Sequence, residues 1–96
     1  MPDLAGALTN LGVCYREVGR RQDAVAPTEE AAATYRTLAA DNPAFLPDLA
    51  GALTNLGVFY SEVGREAEID AAWEKALAAL STEDRQALQT LRTSNH

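Results

Sequence analysis

Apolar residues stand at Leu4, Leu8, Leu11, Tyr15 and Val18, in steps of four, three, four and three, and the same steps return at Leu49, Leu53, Leu56, Tyr60 and Val63. Such spacing lays a single apolar stripe along an α-helix. Gly19 and Gly64 directly follow the two stripes, and glycine most readily takes the left-handed conformation that ends a helix. Beyond each glycine a second stripe begins, at Ala24, Thr28, Ala31, Tyr35 and Leu38 in one case and at Ile69, Trp73, Ala76 and Leu80 in the other. A connection as short as Gly19-Arg20-Arg21 makes the flanking helices run antiparallel and side by side. The pattern predicts two helical hairpins and an all-α fold.

The hairpins are copies of each other. Residues 2–20 return as residues 47–65 at an offset of 45, with only Cys14/Phe59 and Arg16/Ser61 changed. Self-similarity at a period between about 20 and 50 residues is the signature of a solenoid, whose units bury their apolar faces only against one another. A single domain over 1–96 is expected, with a first unit at 2–42, a second at 43–80 and a capping helix at 81–93. Met1 stands where the second copy has Leu46, without a counterpart of Asn42-Pro43-Ala44-Phe45. The chain is therefore expected to be cut from a longer array, with apolar surface exposed at Leu4, Leu8 and the second helix of unit one.

Individual residues sharpen this picture. Gly12 and Gly57 lie mid-helix, where glycine costs about 1 kcal/mol relative to alanine; close approach of a partner helix is the expected reason. Asn42 is placed to cap and Pro43 to open the next segment, while Pro47 predicts a short turn or kink before a regular helix from about Leu46. Pro27, where the second copy has Ala72, predicts a kink near Asp23, read either as a tolerated defect or as a hinge for exchange between chains. Thr28 stands where the second copy has Trp73, so unit one lacks a large filler and is expected to be the less stable unit. Ser81 is read as the cap of a last helix with Ala87, Leu88 and Leu91 inward and Arg85, Gln86, Gln89 and Arg92 toward water. Residues 93–96 are expected to fray.

Composition narrows the function. A formal charge of −6 repels phosphate backbones and anionic membranes, so neither nucleic acid nor a membrane is an expected partner. The sequence has no run of 18 or more apolar residues and no basic-plus-apolar leader, and lone Cys14 allows no intrachain disulfide; a reducing, cytoplasmic setting is expected. Cys14 is read as an inert thiol in apolar surroundings, because the second copy carries Phe59 there. The only histidine, His96, lies in the tail, so a His-assisted nucleophile or a His-rich zinc site cannot be built within one chain. No enzyme activity, cofactor or metal is expected. Glu29-Glu30 and the acidic run from Glu66 to Asp70 read as solvated helix faces.

The chain resembles the tetratricopeptide repeats. The carrying residues are Leu11-Gly12, Tyr15, Gly19 and Ala24 in unit one, and Leu56-Gly57, Tyr60, Gly64 and Ile69 in unit two. Ala31 and Ala76 fit the family's second small position and Trp73 its aromatic position, while Leu8 and Leu53 replace its early Trp. The 45-residue period, with Thr9-Asn10-Leu11 and Thr54-Asn55-Leu56, is similar to the elongated variant of kinesin light chains and bacterial regulatory proteins. The resemblance implies an α-solenoid of two such hairpins, whose first helices line a concave groove for a peptide or partner domain. The groove positions would be Gly6, Thr9, Asn10, Val13, Arg16 and Glu17, with Gly51, Thr54, Asn55, Val58, Ser61 and Glu62 behind them. A clamp for a C-terminal carboxylate is not expected, since Thr9, Val13, Gly51 and Thr54 stand where it needs cations. Asn10 and Asn55 would either bond a ligand's backbone or tie adjacent helices together.

The expected function is a non-catalytic protein–protein interaction module that binds through these first helices. The alternative expectation is a self-associating structural module, either a homodimer or a head-to-tail stack.

Overall fold

The computed structural model describes residues 2–94, and every regular element among them is helical. In chain order these are α1 (Pro2–Glu17), α2 (Arg21–Asp41), a 3₁₀ turn (Pro43–Phe45), α3 (Leu46–Glu62), α4 (Ala67–Ala78) and α5 (Thr82–Ser94). The all-α helical-repeat arrangement expected from the apolar stripes is the one observed. Met1, Asn95 and His96 lie outside the described residues, and with them part of the expected fraying; Thr93 itself is helical.

The helix ends follow from local chemistry. Gly19 and Gly64 take φ of 83° and 77°, which a side chain would strain. Each closes the same pair of bonds: Arg20 N–H donates to the Tyr15 carbonyl at 2.8 Å and Gly19 N–H to that of Arg16 at 3.1 Å, repeated by Arg65 to Tyr60 at 2.7 Å and Gly64 to Ser61 at 3.3 Å. These bonds satisfy carbonyls that the helix leaves without partners. Between the units, the Asn42 side chain accepts from Ala44 N–H at 3.0 Å and Pro43 opens the turn. The regular helix then starts at Leu46, with Pro47 in its first turn. Helix α2 continues through Pro27.

Helix α2 is the middle of the packing, with α1 on one side and α3 on the other. Its buried residues, Ala24, Val25, Thr28, Ala31, Ala32, Tyr35 and Ala39, face both neighbours. The expectation that this helix would be exposed is therefore overturned, because both copies of the repeated helix cover it. What lies open is the outer stripe of α1: Leu11 is 42% exposed and Leu4 46%, whereas their counterparts Leu56 and Leu49 are 3% and 0% exposed. Leu8 is half-buried. Cys14 lies on the same side and is exposed, not apolar in its surroundings, while Phe59 is buried. One sequence thus takes two environments, since α3 has neighbours on flanks where α1 has none.

The two hairpins differ in closeness. A Cβ on Gly12 would collide with Thr28 Oγ1 and come within 3.3 Å of both the Ala24 carbonyl oxygen and Phe59 Cε2. The small volume at position 28 is answered by this approach of α1, and the buried Thr28 hydroxyl donates to the Ala24 carbonyl at 2.8 Å. At Gly57 a Cβ would meet only Ile69, at 3.6 Å. The larger Ile69 and Trp73, standing for Ala24 and Thr28, hold α4 farther from α3. Close approach explains Gly12, therefore, and does not explain Gly57.

Helix α5 starts where Ser81 Oγ accepts from Asp84 N–H at 3.3 Å and packs on α3 through the fully buried Leu88. Ala87, expected to face inward, is exposed. Arg85 and Arg92 do more than face water. Arg85 donates to the Leu77 carbonyl at 2.9 Å, while Arg92 pairs with Asp70 at 2.7 Å and lies 4.8 Å over the Trp73 ring.

Alanine at the two mid-helix glycines is expected to act with opposite signs. Gly12→Ala destabilises by about 1–3 kcal/mol through overpacking against Thr28, whereas Gly57→Ala gains about 0.5–1 kcal/mol of helix propensity. Urea unfolding of the two variants checks this, and equal effects would contradict the difference in packing.

Candidate functional site

The first-helix positions singled out by the sequence do not all meet water in the same way. Asn10, Arg16, Glu17, Gly51, Val58, Ser61 and Glu62 are exposed, while Gly6, Thr9, Val13, Thr54 and Asn55 are half-buried. Thr9 and Thr54 turn their hydroxyls back onto the carbonyls of Ala5 and Ala50, at 3.0 and 2.8 Å. Val13 packs against the core, and a Cβ on Gly6 would come within 3.8 Å of the Tyr35 hydroxyl oxygen on α2.

Arg16 and Glu62 are brought together across the two copies: Arg16 Nε donates to both Glu62 oxygens, at 2.8 and 3.0 Å, and Arg21 stands 3.8 Å from the same carboxylate. The hydrogen bond from Arg16 holds the Glu62 carboxyl below its ordinary range. Water screens so exposed a pair, yet the single Nε–H shared between both Glu62 oxygens links α1 to α3 across the two copies. Ser61, which replaces Arg16 in the second copy, makes no such link. The Asn10 and Asn55 side chains hydrogen-bond no other described residue, so the alternative in which they tie helices together has no bond to rest on. Beside Val58, a depression of about 290 Å³ is lined by Thr54, Gly57, Ser61, Ile69, Trp73 and Arg92.

A second depression, of about 260 Å³, lies between α2 and α4 over α3. Leu53, Leu56 and Tyr60 form its floor, on a different face of α3 from Thr54, Val58 and Ser61, since successive helical residues turn by about 100°. At one end Tyr60 donates its hydroxyl to Glu29, and Arg65 pairs with Glu68, lies 3.8 Å from Glu29 and stacks 4.9 Å over the Tyr60 ring. Glu29, Glu68 and Asp70, read as solvated faces, are thus engaged with cations or a hydroxyl. Nothing in the repeat pattern marks this network, because its members come from α2, the α3 end and α4; only the Tyr60-Arg65 spacing, shared with Tyr15-Arg20, hints at it.

Burial raises the Tyr60 phenol above the usual tyrosine range, with its bond to Glu29 and the Glu29 charge adding to the effect. Burial likewise raises Tyr35, with the Asp48 charge behind it. Among the described residues no cluster of His, Cys, Asp and Glu is able to hold a metal ion, and no helix is long and apolar enough to cross a membrane.

A family model described as tetratricopeptide repeat matches residues 4–44 and 49–80, most of the chain. No curated protein and no solved structure matches.

A phenol that holds its proton more tightly when folded adds stability that is complete below the unfolded tyrosine value, near pH 10, and is lost as pH climbs toward the raised folded value. The protein is therefore expected to weaken above about pH 10, and Tyr60→Phe to weaken less steeply there. Urea midpoints at neutral and alkaline pH check this; identical slopes for both proteins would contradict it.

Proposed function

Because the chain belongs to the tetratricopeptide repeat family, a non-catalytic family whose repeats generally mediate protein–protein interaction, we propose that it binds a peptide or partner domain along its first helices. The contacting positions would be Thr9, Asn10, Val13, Arg16, Glu17, Thr54, Asn55, Val58, Ser61 and Glu62. The observation that carries this reading is the pair Asn10 and Asn55, which occupy the same place in the two copies and bond no other described residue. A carboxamide offers both an acceptor and donors, so two of them suit the backbone amides of a ligand lying across α1 and α3. Exposed Val58 and the depression beside it offer apolar area next to Asn55. The exposed Arg16–Glu62 pair links the two helices, and in this reading Arg16 joins Asn10 and Asn55 in fixing the register of the ligand. The 45-residue period favours the elongated variant of the family, and a reducing, cytoplasmic setting fits the exposed lone thiol.

A second reading, self-association, is favoured by the open stripe on α1. Leu4 and Leu11 are exposed where Leu49 and Leu56 are buried, and Val18 is 71% exposed. Two copies pairing these stripes about a two-fold axis would close as a dimer, whereas a non-closing contact would propagate.

Screening peptide libraries against the full chain tests the first reading. Asn55→Ala is expected to weaken the hits by about tenfold or more, the worth of one or two hydrogen bonds, and Val58→Glu to weaken them by placing a charge where the ligand's apolar side chain would sit; hits indifferent to both changes would overturn it. Light scattering over a dilution series tests the second, which predicts a dimer dispersed by Leu11→Glu and fails if the unaltered chain is monomeric at high concentration.

A further inference from the structure

The depression between α2 and α4 is electrically polarised along its length. Glu29 and Arg36 are seven residues apart on α2, and Glu68 and Lys75 are seven apart on α4. Two helical turns separate each pair, about 10 Å along the axis. All four side chains line the same depression. Its acidic end is occupied by Tyr60 and Arg65, which engage Glu29 and Glu68. Its basic end is unoccupied by any partner, since neither Arg36 nor Lys75 has a hydrogen bond, ion pair or ring contact with a described residue.

That is unusual for this chain. Of its 8 Lys and Arg residues, Arg16, Arg20, Arg21, Arg65 and Arg92 pair with carboxylates and Arg85 with a carbonyl. The two cations left over both fall on one depression, in a protein where Asp and Glu, 14 in all, outnumber Lys and Arg. Between the charged ends, small side chains such as Ala33 and Ala72 form the walls over Leu53 and Leu56. A volume of about 260 Å³ is below that of sites for whole drug-sized ligands, about 300–1,000 Å³, and suits one or two apolar side chains.

We propose that the α2–α4 depression docks an acidic peptide segment of a partner protein, seating an apolar side chain over Leu53 and Leu56 and a carboxylate between Arg36 and Lys75. A guanidinium forks two hydrogen bonds to a carboxylate, while the lysine adds a mobile point charge. The Glu29 and Glu68 end repels a second anion and so fixes the direction in which the segment lies. This surface is separate from the first-helix face and stands or falls independently of it.

The test is a calorimetric titration of the full chain with a pool of acetylated, amidated pentapeptides that carry Leu or Phe followed by Asp or Glu, against a matched pool with Asn or Gln. The acidic pool is expected to bind, the neutral pool to bind about tenfold more weakly or not at all, and Arg36→Gln/Lys75→Gln to lose a similar factor, the worth of one charge-assisted hydrogen bond. Val58→Glu is expected to leave this binding unchanged. Both cations are at the surface and glutamine is a good helix former, so the double variant should retain its helical circular dichroism. The proposal is overturned if the acidic pool does not bind, if both pools bind alike, if the double variant binds like the parent, or if Val58→Glu abolishes binding.

Discussion

Helix α2 is held on both sides by copies of one amphipathic segment, and the rest of the structure depends on that burial. Its own contact face is made largely of alanine with Val25, Thr28 and Tyr35, too little apolar volume to form a core alone. Leucines supplied by α3 and the close approach of α1 at Gly12 complete it. A repeat helix buries area only where it has a neighbour, so α3 is covered on flanks where α1 remains open. That asymmetry places one uncovered apolar stripe at the α1 edge, while α5, anchored by Leu88, covers part of α3 at the other end.

Much of this is legible in the sequence. The steps of Leu4 to Val18 and of Leu49 to Val63 specify helices, Gly19 and Gly64 specify their ends, and Asn42-Pro43 specifies the turn that joins the units. What escapes the sequence is the distance between helices. Gly12 and Gly57 sit in nearly identical surroundings along the chain, yet one is pressed against Thr28 and the other is not, because the deciding residues lie on the partner helix. The exposure of Cys14 is hidden for the same reason. Its counterpart Phe59 has a covering neighbour and Cys14 has none.

Surfaces are legible only in part. The first-helix positions are readable from periodicity and from the family resemblance, but Arg16 finding Glu62 and Thr9 turning to Ala5 need three dimensions. The α2–α4 depression gives still less warning. Its charges are arranged by matching seven-residue spacings on two helices that are far apart in the chain, while Ile69 and Trp73, the residues that break the repeat, line the depression beside Val58. Departures from the repeat thus shape the depressions at α4, while the repeated residues shape the stack. Both surfaces offer area and hydrogen bonds rather than reactive groups, in keeping with a non-catalytic interaction family.

The layered account rests on equal sequences having unequal neighbours, and one pair of substitutions addresses it directly. Leu11→Ala and Leu56→Ala remove the same side chain from the same nineteen-residue segment. Measured by urea unfolding at a dilution where the chain is monomeric, Leu56→Ala should cost about 2–5 kcal/mol, as for a buried leucine, and Leu11→Ala well under half as much. Equal losses at the two positions would contradict the stack.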